Sequence, residues 1–202
     1  MIYVRMNSFR GFTIVETLVA IAIIMIVLIT PFHTAEVALN AANISRDELT
    51  GDSLAQEGLE YVRSVRDGNY LYNVANPGSQ VTFLAGLDGT ASAPSVGNFD
   101  ANCVTPNACT VDPINSIATT CSPTGNCANF PLDLGVLGGY GYPYIYNQAG
   151  ASSGNLQTRF TRTVQLKSLI THTQVEVIVT VTWTTNGHPY STTLTDYLTN
   201  YL

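Results

Sequence analysis

The feature that most constrains this chain is an apolar run close to its amino terminus. Residues Leu18 to Ile29 are all apolar, and the run extends from Phe12 to Phe32 if five other residues are tolerated: Thr13, Glu16, Thr17, Thr30 and Pro31. The extended run has 21 residues. A helix needs about 20 residues to cross a hydrocarbon layer of about 30 Å. The first prediction is therefore a membrane-spanning helix.

Two other kinds of segment share this pattern. A buried helix in the core of a soluble protein usually keeps a polar face, and Leu18 to Ile29 has none. A cleaved secretory signal has an apolar region of about 7–15 residues and ends at a small-residue cleavage site. Here Ile29 is followed by TPFHTAEVA, which matches such a site poorly. The sequence favours a membrane segment that is retained.

The charges around the run predict its orientation. Arg5 and Arg10 precede the run and no acidic residue does, an arrangement that keeps the amino terminus in the cytoplasm. From Phe12 to Leu202 the chain carries six basic and fourteen acidic residues, a side-chain charge of 6 − 14 = −8. Nucleic-acid-binding domains cluster their Lys and Arg residues, so no direct nucleic-acid partner is predicted.

One carboxylate, that of Glu16, lies inside the apolar run. The stretch Gly11-Phe12-Thr13-Ile14-Val15-Glu16 follows a basic leader and precedes the apolar helix. It resembles the prepilin cleavage and methylation motif of the type IV pilin superfamily. The resemblance implies that residues 1–11 are a leader, that a prepilin peptidase cuts after Gly11, and that Phe12 becomes the methylated amino terminus. It also implies that Glu16 pairs with the amino terminus of a neighbouring subunit during filament assembly.

Physical chemistry is consistent with that role for Glu16. Cleavage would give Phe12 an α-amino cation one helical turn from Glu16, near a helix N-terminus that itself favours negative charge. A charge within a membrane normally has a partner. The alternative is an interfacial glutamate whose carboxylate reaches the lipid headgroups. That alternative explains why the charge is tolerated, but not why it follows a cleavable-looking glycine.

Apolar residues continue beyond the run at helical spacing. They are Phe32, Ala35, Leu39, Ala42, Leu49, Leu59, Val62 and Val65. We predict one long helix from about Phe12 to about Asp67, with a transmembrane part (12–32) and an amphipathic part (33–67). It should bend or kink at Pro31, because proline removes a hydrogen bond of the helix. The segment AQEGLEYVRSVRD resembles minor pilins known as type IV pilus modification proteins.

Some details of the amphipathic part remain open. Gly51 and Gly58 are weak points of a helix, and the pattern Ser53-Leu-Ala-Gln56 could be a capping box that starts a separate helix after Gly51. Arg63 could form intrahelical ion pairs with Glu60 and with Asp67.

Residues 68–158 contain no Lys or Arg and are rich in Gly, Asn, Pro, Ser and Thr, a composition typical of loops and short strands. Two cysteine pairs with C-x5-C spacing occur here. Because the preceding segment exports this region, disulfides are expected, and of the three possible connectivities we favour the two local pairs, Cys103–Cys109 and Cys121–Cys127. A zinc site is the alternative, although C-x5-C is looser than the usual spacing of about two to four residues.

Alternating tyrosines follow the cysteines, at Tyr140, Tyr142, Tyr144 and Tyr146. In an extended segment they would form one row of rings on one face. An exposed row could bind a glycan or a partner protein. Packing in a half-buried strand, or contacts within a filament, is the plainer interpretation.

Residues 159–202 carry the clearest strand pattern. In Gln174 to Thr184 the odd-numbered residues are all apolar, and those between them are polar except for Ile178. This alternation predicts a strand with one buried face, formed by Val175, Val177, Val179, Val181 and Trp183. Asn186-Gly187 predicts a hairpin turn into a strand at Tyr190 to Leu198. Phe160, Val164 and Leu166 alternate in an earlier strand. We predict an α+β, pilin-like fold in which three antiparallel strands pack on the amphipathic helix.

No catalytic motif is evident. The histidines, His33, His172 and His188, have no metal-ligand spacing to another His or Cys. Glu176 and Asp196 could meet across the last hairpin, but both fit solvated strand positions better. We expect no enzyme activity, cofactor or metal.

The expected protein is a single-pass protein of the cytoplasmic membrane that later enters an extracellular pilus or a periplasmic pseudopilus. Its expected partners are a prepilin peptidase and other pilin subunits, in a homopolymer or a heteropolymer. The main hypothesis is a minor pilin. The alternatives are a pseudopilin of a type II secretion or DNA-uptake system and a pilus-tip adhesin that uses the tyrosine row.

Overall fold

The protein was analysed as a computed structural model that describes residues 11–97, 100–113, 115–122, 127, 133–135, 145–147, 156–170 and 173–200. The chain divides into two compact units, Met1–Arg46 and Asp47–Leu202. The described elements are, in chain order, α1 (Ile14–Ala75), β1 (Ala108–Asp112), β2 (Ile117–Ser122), β3 (Asp133–Gly135), β4 (Ile145–Asn147), β5 (Leu156–Gln157), β6 (Thr161–Ile170), β7 (Gln174–Thr185) and β8 (His188–Thr199).

The predicted long helix is confirmed, and it continues for two further turns beyond Asp67. α1 has 62 residues and contains Pro31. It is also continuous through Gly51, so the separate helix does not form. The Ser53 hydroxyl donates to the Leu49 carbonyl at 2.8 Å, within the helix, instead of capping a new one.

In the first unit the apolar side chains of α1 are exposed. Ile14, Leu18, Ile26 and Phe32, for example, are 80%, 62%, 70% and 72% exposed. An 18-residue window of this helix is apolar enough to cross a membrane, and none of that window is buried. This amino-terminal part of α1 therefore does not pack in a core within its own unit, as the core helix of a soluble domain would.

The second unit contains a five-stranded antiparallel sheet in the order β2-β1-β6-β7-β8. Its last three strands are the three predicted from the alternating pattern. β1 and β2 come from the loop-rich region and add the other two. β1 lies between β2 and β6 and all five of its residues are buried, so it lacks the alternation by which a half-buried strand is recognised. A smaller sheet has the order β4-β3-β5.

The β7–β8 hairpin follows its sequence signal closely. Asn186 and Gly187 have φ values of 52° and 79°, the pair of positive angles that a type I′ turn requires. In β7 the five predicted inward residues are buried, and the even-numbered residues between them are half-buried or exposed. β7 and β8 pair without a register shift from Thr185–His188 to Gln174–Thr199.

The core of this unit lies where residues 54–65 of α1 meet the sheet. The predicted inward residues Leu59, Val62 and Val65 are buried and share one cluster with β6 and β7. Gly51 and Gly58 are positions of close approach and not weak points. A Cβ on Gly51 would lie 2.7 Å from a ring carbon of Trp183, and one on Gly58 would lie 2.9 Å from Cδ of Arg162.

Two disulfides join the cysteine pairs that the sequence favours, Cys103–Cys109 and Cys121–Cys127. These thiols are therefore not available to a zinc ion. Cys103 lies just before β1 and Cys109 lies within it, and both are fully buried.

Candidate functional site: the helix amino terminus and the head

The first candidate site is the start of α1. The Glu16 backbone N–H donates to the Thr13 hydroxyl at 3.3 Å and to the Thr13 carbonyl at 3.1 Å. Thr13 therefore acts as the N-cap. Phe12 is 80% exposed, and the Glu16 side chain is also exposed. A new α-amino group at Phe12 would stand at the end of this helix, one turn before the Glu16 carboxylate.

The first turn of α1 contains two polar residues, Glu16 and Thr17, although the segment that follows is apolar. The Thr17 hydroxyl donates to the Ile14 carbonyl at 2.8 Å, so it is satisfied within the helix. The Glu16 carboxylate remains on the exposed surface of a helix whose neighbouring side chains are apolar and unburied. Such a surface can bury its area only against lipid or against other helices.

A second charged site, Arg162, lies inside the second unit, Asp47–Leu202, which we call the head. Its side chain is fully buried. One guanidinium nitrogen donates to the Leu54 carbonyl at 3.1 Å and also to the Glu57 carboxylate, and the other donates to the Val111 carbonyl at 2.7 Å. Burial lowers the pKa of Arg162, and the Glu57 carboxylate opposes that shift. This arginine links α1, β1 and β6.

Arg63 connects α1 to the outermost strand. It donates to the Asp196 carboxylate from Nε at 3.1 Å and from Nη2 at 2.9 Å, and it also binds Glu60. The predicted Glu60–Arg63 pair is therefore confirmed. The predicted Arg63–Asp67 pair is wrong, because Arg66 binds Asp67 at 2.8 Å while Arg63 turns to the sheet.

The two strand carboxylates do not meet. Asp196 lies opposite Val177 in the β7–β8 register, whereas Glu176 lies opposite Tyr197. Since successive residues of a strand point to opposite faces, the two carboxylates lie on different faces of the sheet. Asp196 binds Arg63, and Glu176 binds Lys167 at 3.2 Å.

Two asparagines fix the connection that follows α1. The Asn69 amide donates to the Phe83 and Ala85 carbonyls at 3.3 and 3.0 Å. The Asn73 side chain exchanges two hydrogen bonds with the backbone of Val81, each at 2.8 Å. Both asparagines are buried, so this polar connection is held by side chains of the helix.

Several predicted residues lie outside the described part of the chain. They are Arg5, Arg10, Tyr140, Tyr142, Tyr144 and His172. The backbone of Tyr146 belongs to β4, but its side chain is likewise outside the description. Within the residues that the structure describes, no group of three or more His, Cys, Asp or Glu side chains could hold a metal ion.

Comparison with known proteins identifies one family motif. Residues 6–30 match the prokaryotic N-terminal methylation motif, so the chain carries the prepilin-type motif found in type IV pilin-like proteins and pseudopilins. The motif implies processing by a prepilin peptidase and assembly with other pilins. With its apolar helix, it fits a membrane-anchored protein. No curated protein and no solved structure matches the chain.

The sequence analysis did not predict the roles of the buried arginine and the two asparagines, although the apolar pattern around them indicates that these positions are buried. Arg162 lies two residues from Phe160 and from Val164, on the face of β6 that these apolar residues mark as buried. Asn69 and Asn73 continue the helical face of Val62 and Val65 at steps of four. Polar residues at buried positions indicate internal hydrogen bonds.

Proposed function

We propose that this protein is a minor pilin or pilin-like structural subunit. A prepilin peptidase cuts after Gly11 and methylates Phe12, and the processed chain leaves the cytoplasmic membrane to enter a type IV pilus-like filament. The amino terminus faces the cytoplasm before assembly. The observation that carries this proposal is the methylation motif at residues 6–30, directly joined to an apolar helix that its own unit leaves unburied.

Glu16 is the residue on which assembly depends in this proposal. A carboxylate in hydrocarbon costs several kcal/mol unless it is paired. Pairing with the methylated α-amino group of a neighbouring Phe12 would cancel that cost in the filament. The apolar side chains of α1 would then pack against the same helix of other subunits.

The test is the incorporation of Glu16→Ala into filaments sheared from cells. Glu36→Ala is the matched control, because Glu36 is an exposed carboxylate on the same helix but lies outside the motif. We expect Glu16→Ala to be processed normally and to be depleted from the sheared fraction, while Glu36→Ala is incorporated like the wild type. Equal incorporation of both variants would refute the role of Glu16.

Mass spectrometry tests the processing step. The filament-borne chain should begin with N-methylated Phe12, and a chain that still begins with Met1 would contradict the proposal. A pseudopilin is the second candidate, because the same motif occurs in pseudopilins. Recovery of the processed chain from the periplasm, with none in the sheared fraction, would favour a pseudopilin.

A further inference from the structure

The outer edge of β8 is the longest open edge in the structure. β8 has 12 residues, and no other described strand pairs with its free side. A two-residue hairpin closes on a hydrogen-bonded pair, here Thr185 and His188. The even-numbered residues of β8 therefore bond to β7, and the odd-numbered residues direct their N–H and C=O groups outward.

The outward positions are suited to pairing with another strand. Pro189 occupies the first of these outward positions. A residue there donates no hydrogen bond to β7, so the N–H that proline lacks is not needed for the β7–β8 pairing. The other five keep their donors and have exposed side chains; they are Ser191, Thr193, Thr195, Tyr197 and Thr199. Three of these five are threonines, and β-branched side chains favour strands.

From Ser191 onward this edge has few of the features by which proteins usually block unwanted pairing. Lysines, prolines, bulges and inward charges protect edge strands in many native sheets, and Pro189 protects only the start of β8. β8 contains no Lys or Arg, and its pairing with β7 has no bulge. Its one charged residue, Asp196, is bound by Arg63 on the helix side. An edge of this length with so little protection is suited to pairing with another strand.

The border between α1 and β8 is acidic. Asp52 accepts a hydrogen bond from the Thr192 hydroxyl at 2.6 Å. The Glu60 side chain forms a salt bridge with Arg63 but is still 65% exposed. At the start of β8, Glu48 and Asp52 line an open groove of about 200 Å³ together with Tyr190. A strand added to β8 would place its alternate side chains along this border.

A second copy of this chain does not complement that border. Five of the six basic residues beyond the leader form salt bridges within the head, and the sixth, Arg46, is also engaged. Pairing two β8 edges would bring two acidic borders together, and like charges on adjacent strands are destabilising.

We propose that the outer edge of β8 binds an extended, basic segment of a different filament subunit, which adds a sixth strand to the sheet. Asp52 and Glu60 are eight helical residues apart, about 12 Å. Four strand residues, the step from Thr192 to Asp196, span about 13 Å. The bound segment therefore carries Lys or Arg at two positions four residues apart on one face. This partner assignment rests on the proposed function.

The first experiment uses full-length protein in detergent and a synthetic peptide, so it is independent of filaments. The peptide has two lysines four residues apart with Thr and Val between them; a control peptide has glutamates in their place. Thr195→Pro removes one outward N–H without removing a bond to β7, and Thr195→Ala is the matched control that keeps this N–H. Unchanged Trp183 fluorescence would show that the head remains folded in both variants.

We expect the lysine peptide to slow hydrogen exchange of the odd-numbered β8 amides. We also expect the Thr195→Pro variant to bind this peptide about tenfold more weakly than Thr195→Ala does, because it loses one backbone hydrogen bond. The glutamate peptide should not protect these amides. Equal binding by both variants, or protection by both peptides, would overturn the proposal.

The second experiment examines sheared filaments. In wild-type filaments the odd-numbered amides of β8 should exchange at least tenfold more slowly than in detergent, while the even-numbered ones are protected in both states. Unprotected odd-numbered amides in filaments would overturn the proposal. Oxidation of a Thr195→Cys variant to a disulfide-linked homodimer would also overturn it, because it would show that two β8 edges pair with each other. Absence of the wild-type chain from filaments would instead refute the proposed function, and the peptide experiment would still decide on the edge.

Discussion

Replacement of the buried Arg162 by methionine should be among the most damaging single changes in the head. The side chain is completely buried and its two terminal nitrogens reach the Leu54 and Val111 carbonyls and the Glu57 carboxylate. Arg162→Met leaves two backbone carbonyls of the core without these donors. Each buried acceptor left without a donor costs about 1–3 kcal/mol, so we expect a loss of about 2–6 kcal/mol in the free energy of unfolding.

Glu57→Gln is the informative comparison, because it perturbs the same pair from the other side. This variant leaves the buried guanidinium without its carboxylate, but Arg162 keeps both of its backbone carbonyls, and the side chain at position 57 is 36% exposed to water. A glutamine oxygen can still accept from the guanidinium. We expect about 1–2 kcal/mol for this variant, clearly less than for Arg162→Met.

The assay is urea unfolding of the full-length protein in detergent, followed by tryptophan fluorescence. Trp183 is the sole tryptophan of the chain and is buried in the head core, so its emission reports on that unit. A loss below about 1 kcal/mol for Arg162→Met would show that this network does not hold the helix on the sheet as described. A larger loss for Glu57→Gln would show that the ion pair, and not the two carbonyl contacts, dominates the network.

Three further changes test other contacts of the head by the same assay. Gly51→Ala gains about 1 kcal/mol of helix propensity, but its new methyl group clashes with Trp183. We expect the free energy of unfolding to fall by up to about 2 kcal/mol, and a stabilised variant would contradict the contact. Asn69→Ala should cost about 2–3 kcal/mol; a loss below about 0.5 would refute the role of its amide. Replacing Cys103 and Cys109 by alanine should cost about 2–3 kcal/mol, and an unchanged unfolding midpoint would show that this bridge constrains nothing.

Much of the fold was predictable because periodicity reports burial directly. The residues Leu59, Val62 and Val65 recur at helical spacing and are among those that α1 buries, whereas Leu39 and Leu49, which belong to the same predicted pattern, are exposed. β7 alternates strictly, and Asn186-Gly187 supplies the positive φ angles that its hairpin needs. These signals are local, so a single sequence carries them.

The contacts that sequence reasoning missed are those that depend on the partner element. Gly51 looks like a weak point until Trp183 is seen against it. Likewise Arg63 has acidic neighbours on its own helix, but it binds Asp196, 133 residues away. β1 is buried on both faces, so it has no alternation to detect. Each of these depends on long-range packing, which local patterns do not encode.

The distribution of positive charge connects the head to the assembly proposal. Arg63 binds α1 to β8, Arg159 binds Asp47 at 2.9 Å, and Arg162 binds α1 to β6. The few cations of the head are thus used to fix the helix against the sheet, and an acidic surface remains. At the other end of the chain, no Lys or Arg lies between Arg10 and Arg46, and Glu16 is in this interval. Under the two assembly proposals, compensating charge at both ends would come from another subunit.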